Sequence, residues 1–156
     1  MSTKNLNLTA LGATCAAMFM FPQMTLAGEC SAVAGSIEAT VIGGDPVNVL
    51  GVVSGDLAGS VRAVITSQAE GENGTVLLGL SHDFVTNDHA SLKTNDKAVW
   101  TPVPDHPGVF YMTTTYEIVG GSGKYDGATG SLKNSGTADT NTGLLTLRYS
   151  GQVCTS

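Results

Sequence analysis

Positive charge is scarce in this chain. Seven lysines and arginines face thirteen aspartates and glutamates, the formal net charge is −6, and the basic residues stand apart from one another. A protein that holds nucleic acid or an anionic membrane surface needs a basic patch against the phosphates, so neither partner is expected. The acidity is read as serving solubility. Helical periodicity is missing after residue 27, as are internal repeats and low-complexity tracts. Long apolar runs are missing too, apart from Leu8–Phe21, which falls short of the roughly 20 residues of a permanent bilayer span. No stable membrane span is therefore expected. No Gly-x-Ser-x-Gly elbow occurs, which argues against a hydrolase of that kind. Gly123-Lys124 echoes a phosphate-binding loop, but Ile118 stands where its first glycine belongs and Tyr125 where Ser or Thr must follow the lysine. Asp126 breaks a dinucleotide fingerprint starting at Gly121 in the same way. No cofactor is expected.

The ends of the chain carry more. Lys4, the apolar run Leu8–Phe21 and the small residues of Thr25-Leu26-Ala27 read as a signal peptide over residues 1–27, cleaved after Ala27. Residues 28–156 then form a single domain, secreted or periplasmic. A lipid anchor on Cys30 is the rival reading because Leu26-Ala27-Gly28 precedes it, and the bulky charged Glu29 argues against it. Of three cysteines, Cys15 leaves with the leader, and Cys30 and Cys154 remain near opposite ends of the exported chain. An oxidising compartment favours a disulfide between them, tying the first strand to the last; two free buried thiols are the alternative.

Between those cysteines, alternation at period two recurs and is broken at short intervals by turn residues, which is the pattern of an all-β domain. Strands are expected over Val33–Ile42, Val47–Ser54, Val61–Ser67, Thr75–Thr86, Val109–Val119, Ser131–Ala138 and Leu144–Val153, with shorter strands flanking Asn95-Asp96 and ending near Trp100. Asn73-Gly74 reads as a tight hairpin, since both residues tolerate positive φ, although Asn73-Gly74-Thr75 is by letter also a glycosylation sequon. Such a set of strands closes into a barrel or folds into a sandwich. The terminal cysteines favour closure, as does the family resemblance of the stretch from Ile118 to Gly130, so the expected fold is an eight-stranded antiparallel up-and-down barrel, with a β-sandwich as second choice.

The stretch from Ile118 to Gly130 holds Gly120, Gly121, Gly123, Gly127 and Gly130 around one aromatic, Tyr125. This pattern resembles the turn shared by plant allene oxide cyclases and the related dirigent proteins, both small antiparallel β-barrels. Tyr116 before the turn, Leu132-Lys133 after it and Gly55-Asp56-Leu57 fit the same layout, so the likeness spans Tyr111–Lys133 and, thinly, Ser54–Thr66. The resemblance implies a lumen that holds a long apolar substrate and guides its cyclisation by shape, with a carboxylate on an early strand. In this chain that acid would be Glu38, but its parity is opposite to Val33, Ile37 and Val41, which points it away from the interior. Dirigent proteins use acids and an arginine; Arg62 and Arg148 are present without a dirigent motif around them. No catalytic residue carries over.

Three histidines remain as candidates, each beside an aspartate: His82 with Asp83, His89 with Asp88, His106 with Asp105. His89 and His106 fall in turn-like segments, so no metal site is expected. His82 shares a strand face with Leu80 and Phe84, either as a lumenal imidazole able to move a proton or as a core histidine satisfied by a backbone carbonyl. Phe84, Phe110, Met112 and Tyr116 share inward parity and either line a ligand cavity or simply fill the core. Three functions stay open. The first is binding of a small apolar molecule in the lumen. The second is an isomerase or cyclase of the allene oxide cyclase type assisted by His82 or Tyr116. The third is a non-catalytic envelope or surface protein using exposed aromatics such as Trp100 and Tyr111.

Overall fold

Alternating small or apolar residues with polar ones produces a ribbon that is greasy on one face, and the chain buries that face by curling it shut. The computed structural model describes residues 28–155. The expected leader, its cleavage site and Cys15 lie outside the described residues. Eight strands follow in order: β1 (Glu29–Gly43), β2 (Asn48–Gly55), β3 (Gly59–Glu70), β4 (Val76–Thr86), β5 (Ser91–Pro102), β6 (Val109–Ser122), β7 (Thr129–Asp139) and β8 (Leu144–Thr155). Each pairs antiparallel with the next, and β8 pairs with β1, giving a closed up-and-down barrel rather than a sandwich. Among the described residues no helix is long and apolar enough to cross a membrane.

The inward positions are those that alternation selects. Ile37 on β1, Val53 on β2, Val61 on β3, Leu80 and Phe84 on β4, Leu92 on β5, Tyr116 on β6, Leu132 on β7 and Leu147 on β8 are all buried. Glu38 lies exposed on the outer face. Cys30 and Cys154 face each other across the β1–β8 seam and are joined by a disulfide.

Two sequence expectations need correction. Asn95-Asp96 does not interrupt a strand. β5 runs unbroken through it, with Asn95 exposed and Asp96 turned inward, because Leu92, Thr94, Asp96 and Ala98 keep one parity and β4 and β6 pair with both sides. The turn lies earlier, at Asn87–Ala90, where His89 takes φ +65° and Thr86 Oγ1 donates to the Ala90 carbonyl at 3.0 Å. Trp100, expected to be exposed, is half-buried and packs against the core, its ring 5.6 Å from that of Phe110.

The barrel's two ends differ. At one, the β2–β3, β4–β5 and β6–β7 turns fold over the lumen and bury Leu57, Ala90, Tyr125 and Ala128. The Tyr149 hydroxyl fastens this plug, donating to the Ser54 carbonyl and accepting from the Leu57 amide, both at 3.0 Å. Lys124 and Asp88 clasp two of the turns at 2.7 Å, and the hydrogen bonds from Lys124 and Thr86 pull the Asp88 carboxyl down to about 2. At the opposite end Val41, Ile65, Val76 and Trp100 are only partly covered.

The glycine turn works by two separate physical means. A Cβ on Gly121 would stand 2.1 Å from the Ser91 carbonyl oxygen, so that glycine is required by close approach of two backbones rather than by positive φ. Gly127 has open space around it but takes φ +66°. Gly121→Ala is expected to lower unfolding free energy in urea by about 3 kcal/mol or more. Gly127→Ala, which meets only the left-handed backbone penalty, is expected to cost about 1 kcal/mol. Equal losses would refute this division. The Cys30→Ser/Cys154→Ser variant, which opens a link across 124 residues of sequence, is expected to lose about 2–4 kcal/mol in the same assay. An unchanged denaturation midpoint would show that the seam needs no crosslink.

Candidate functional site

In a barrel this narrow the lumen is the core, so a polar side chain pointing inward must find its partner there or lose stability. Six buried polar residues nevertheless occupy inward positions on four consecutive strands: His82 and Thr86 on β4, Thr94 and Asp96 on β5, Thr114 on β6 and Asn134 on β7, joined by the phenol of Tyr116 on β6. Thr86 serves the closed-end turn. The others form a stripe set by register: His82 lies opposite Thr94, Asp96 opposite Tyr116, and Thr114 opposite Asn134.

Two hydrogen bonds organise the stripe. Nδ1 of His82 meets Oδ2 of Asp96 at 2.5 Å, with the Asp96 side chain wholly buried. The Asn134 amide donates to the Tyr116 hydroxyl. The His82 ring meets Tyr116 edge-on at 4.9 Å between centroids, and Phe84 packs on both rings at 5.8 and 6.0 Å. Burial first, and then the nearby Asp96, push the Tyr116 phenol well above its usual range against the opposing Asn134 hydrogen bond. It therefore keeps its proton at any physiological pH. Among the described residues, Thr94 Oγ1, Thr114 Oγ1, Asp96 Oδ1, Asn134 Oδ1 and Trp100 Nε1 have no hydrogen-bond partner. Leaving such groups unpaired costs about 1–3 kcal/mol each, a strain ordinary cores avoid.

The stripe ends at a cavity of about 30 Å³, room for about two water-sized groups. Ile37, Ala39, Val49, Val61, Ala63, Leu80 and Leu147 supply apolar walls, His82 and Tyr116 line its inner part, and Val41, Ile65 and Trp100 line it toward the less covered end. A larger depression, about 1070 Å³ and open to solvent, lies across the outer face of β6–β8, β1 and β2, with Glu38, Lys133 and Arg148 among serine and threonine hydroxyls. It encloses nothing.

Of the residues singled out from sequence, His82, Met112 and Tyr116 come together at the cavity. Phe84 lies behind them, fully buried against both rings, and Phe110 stands at the rim against Trp100. His82 is satisfied by a carboxylate, not by a backbone carbonyl as the alternative reading had it, because Asp96 points inward from the neighbouring strand. His89 and His106 are exposed in turns, and among the described residues no three metal-ligating side chains gather. Sequence reasoning missed Asp96, Thr94, Thr114 and Asn134. The signal was present: counting by two from Leu92 through Ala98, or from Leu132 through Ala138, places Asp96 and Asn134 inward.

The fold and stripe define a closed eight-stranded antiparallel barrel with a partly polar lumen. No protein-family model, curated protein or solved structure matches this chain.

A buried pair broken on one side leaves its partner uncompensated, whereas apolar replacement of both is often neutral or stabilising. His82→Leu is thus expected to lower stability by about 3 kcal/mol, and His82→Leu/Asp96→Leu to recover most of that loss in chemical denaturation. A double variant no more stable than His82→Leu would mean that the pair contributes net stability of its own.

Proposed function

We propose that the barrel binds a small apolar molecule in its lumen. One observation carries this reading: an apolar-walled cavity runs from the partly covered end at Trp100 inward to His82 and Tyr116, while the opposite end is plugged by buried turn residues. A ligand admitted there would place its apolar body against Ile37, Val49 and Val61 and its tip against the polar stripe. The resting space is small, so the ligand is slender or the rim side chains Trp100 and Phe110 swing aside. Among the described residues Trp100 Nε1 has no partner to hold it.

The same reading extends the likeness between the Gly120–Gly130 turn and allene oxide cyclases to function, as a barrel whose lumen selects by shape. The leader-like residues 1–27 and the Cys30–Cys154 disulfide support work outside the cytoplasm, secreted or in a periplasm. A second reading, an isomerase, is favoured by the Asp96-bound imidazole beside a buried phenol.

Trp100 is the single tryptophan of the chain and stands at the mouth, which makes it the reporter. Titration with straight-chain ketones and alcohols is expected to shift its fluorescence saturably. Ala63→Val, which puts two methyl groups into the cavity wall, is expected to weaken binding about tenfold, equivalent to about 1.4 kcal/mol. A response that never saturates, or one indifferent to Ala63→Val, would remove the lumenal site.

A further inference from the structure

The inner part of the lumen brings a base and a proton donor to one apolar space. Nδ1 of His82 is engaged by the Asp96 carboxylate, and the ring makes no other hydrogen bond among the described residues. A carboxylate on Nδ1 keeps the proton on that nitrogen, so the lone pair of the neutral imidazole lies on Nε2. Beside it, the Tyr116 oxygen accepts from the Asn134 amide, which leaves the phenol's own hydrogen free to be donated. Burial keeps that hydrogen in place. The two rings are 4.9 Å apart, and both line the cavity together with Leu80, Met112 and Leu147.

We propose that this pair makes the lumen a proton-transfer site for a small ketone, one with an apolar tail and, as substrate for isomerisation, a β,γ double bond. The inference rests on the lumenal-binding reading above. Tyr116 donates a hydrogen bond to the carbonyl oxygen, and Nε2 of His82 removes a proton from the carbon next to the carbonyl. The C–H electron pair becomes the new C=C bond, and the carbonyl π pair moves onto oxygen, where Tyr116 stabilises the developing charge. The imidazolium so formed faces the Asp96 carboxylate. Returning the proton to the γ carbon gives the conjugated enone, and returning it to the original carbon gives exchange with solvent. No electrons leave and no co-reactant is consumed. Tyr116 and His82 are the catalytic residues; Asp96 and Asn134 are positioning residues that fix the tautomer of one and the orientation of the other.

The probe is 4-penten-2-one, a small β,γ-unsaturated ketone whose entry requires the rim side chains Trp100 and Phe110 to swing aside. Its conversion to the conjugated isomer is followed by NMR in D2O, and its binding by Trp100 fluorescence. The protein is expected to accelerate conversion over buffer, His82→Gln to return it to the buffer rate, and Tyr116→Phe and Asp96→Asn to slow it by about 100-fold. Tyr116→Phe, which removes one oxygen, is expected to bind the probe within about threefold of the parent and carries the test if His82→Gln does not fold. Saturable binding with no acceleration, or acceleration that survives Tyr116→Phe or His82→Gln, overturns the proton-transfer assignment and leaves the binding site standing. Absence of saturable binding overturns both.

Discussion

The pairing of β1 with β8 is the constraint on which the rest depends, because it turns a two-faced ribbon into a vessel. The seam runs from Glu29–Thr155 to Thr40–Leu144, and the Cys30–Cys154 bridge lies near one end of it. Closure removes both free edges, so no row of unpaired amides invites another chain. It also sets the interior width: at eight strands the inward side chains nearly meet across the axis. Open that seam and the inward residues lose the cover that the strands across the lumen provide.

The lumen so made is chemically two-sided. The walls nearest the seam, β8, β1, β2 and β3, present Leu147, Ile37, Val49, Val61 and Ala63, whereas β4 to β7 present His82, Asp96, Thr114, Tyr116 and Asn134. A core chosen for stability alone would be apolar all round, since each buried polar group must be satisfied or tolerated at a cost. The polar half is concentrated on adjacent strands and partly unpaired. Proteins accept such local losses where a site needs groups held in a dry place.

Direction along the axis adds a third element. The plugged end is fixed by Tyr149 and by the Lys124–Asp88 clasp, whose depressed carboxylate keeps it charged well into acid. The other end is framed by the partly covered Val41, Ile65 and Trp100, and its β5–β6 and β7–β8 turns are joined where Thr140 Oγ1 donates to the Gly108 carbonyl at 2.9 Å and Asn141 Nδ2 to the Pro107 carbonyl at 3.0 Å. An apolar wall that meets a polar stripe, with one end plugged and the other partly covered, is the geometry on which the proposal of lumenal binding rests.

Period-two alternation and turn chemistry were enough to read an all-β chain and most of its apolar inward residues, because strand parity is a local property set by backbone geometry; preferring a closed barrel to a sandwich leaned on the terminal cysteines and on the likeness of the glycine turn. Asn95-Asp96 misled because the local preference of those residues for turns was overridden by pairing on both sides of β5. Which polar residues meet was beyond local reading. His82 and Asp96 lie fourteen positions apart and Tyr116 and Asn134 eighteen, and only the register between neighbouring strands, fixed once the sheet has closed, brings each pair into reach.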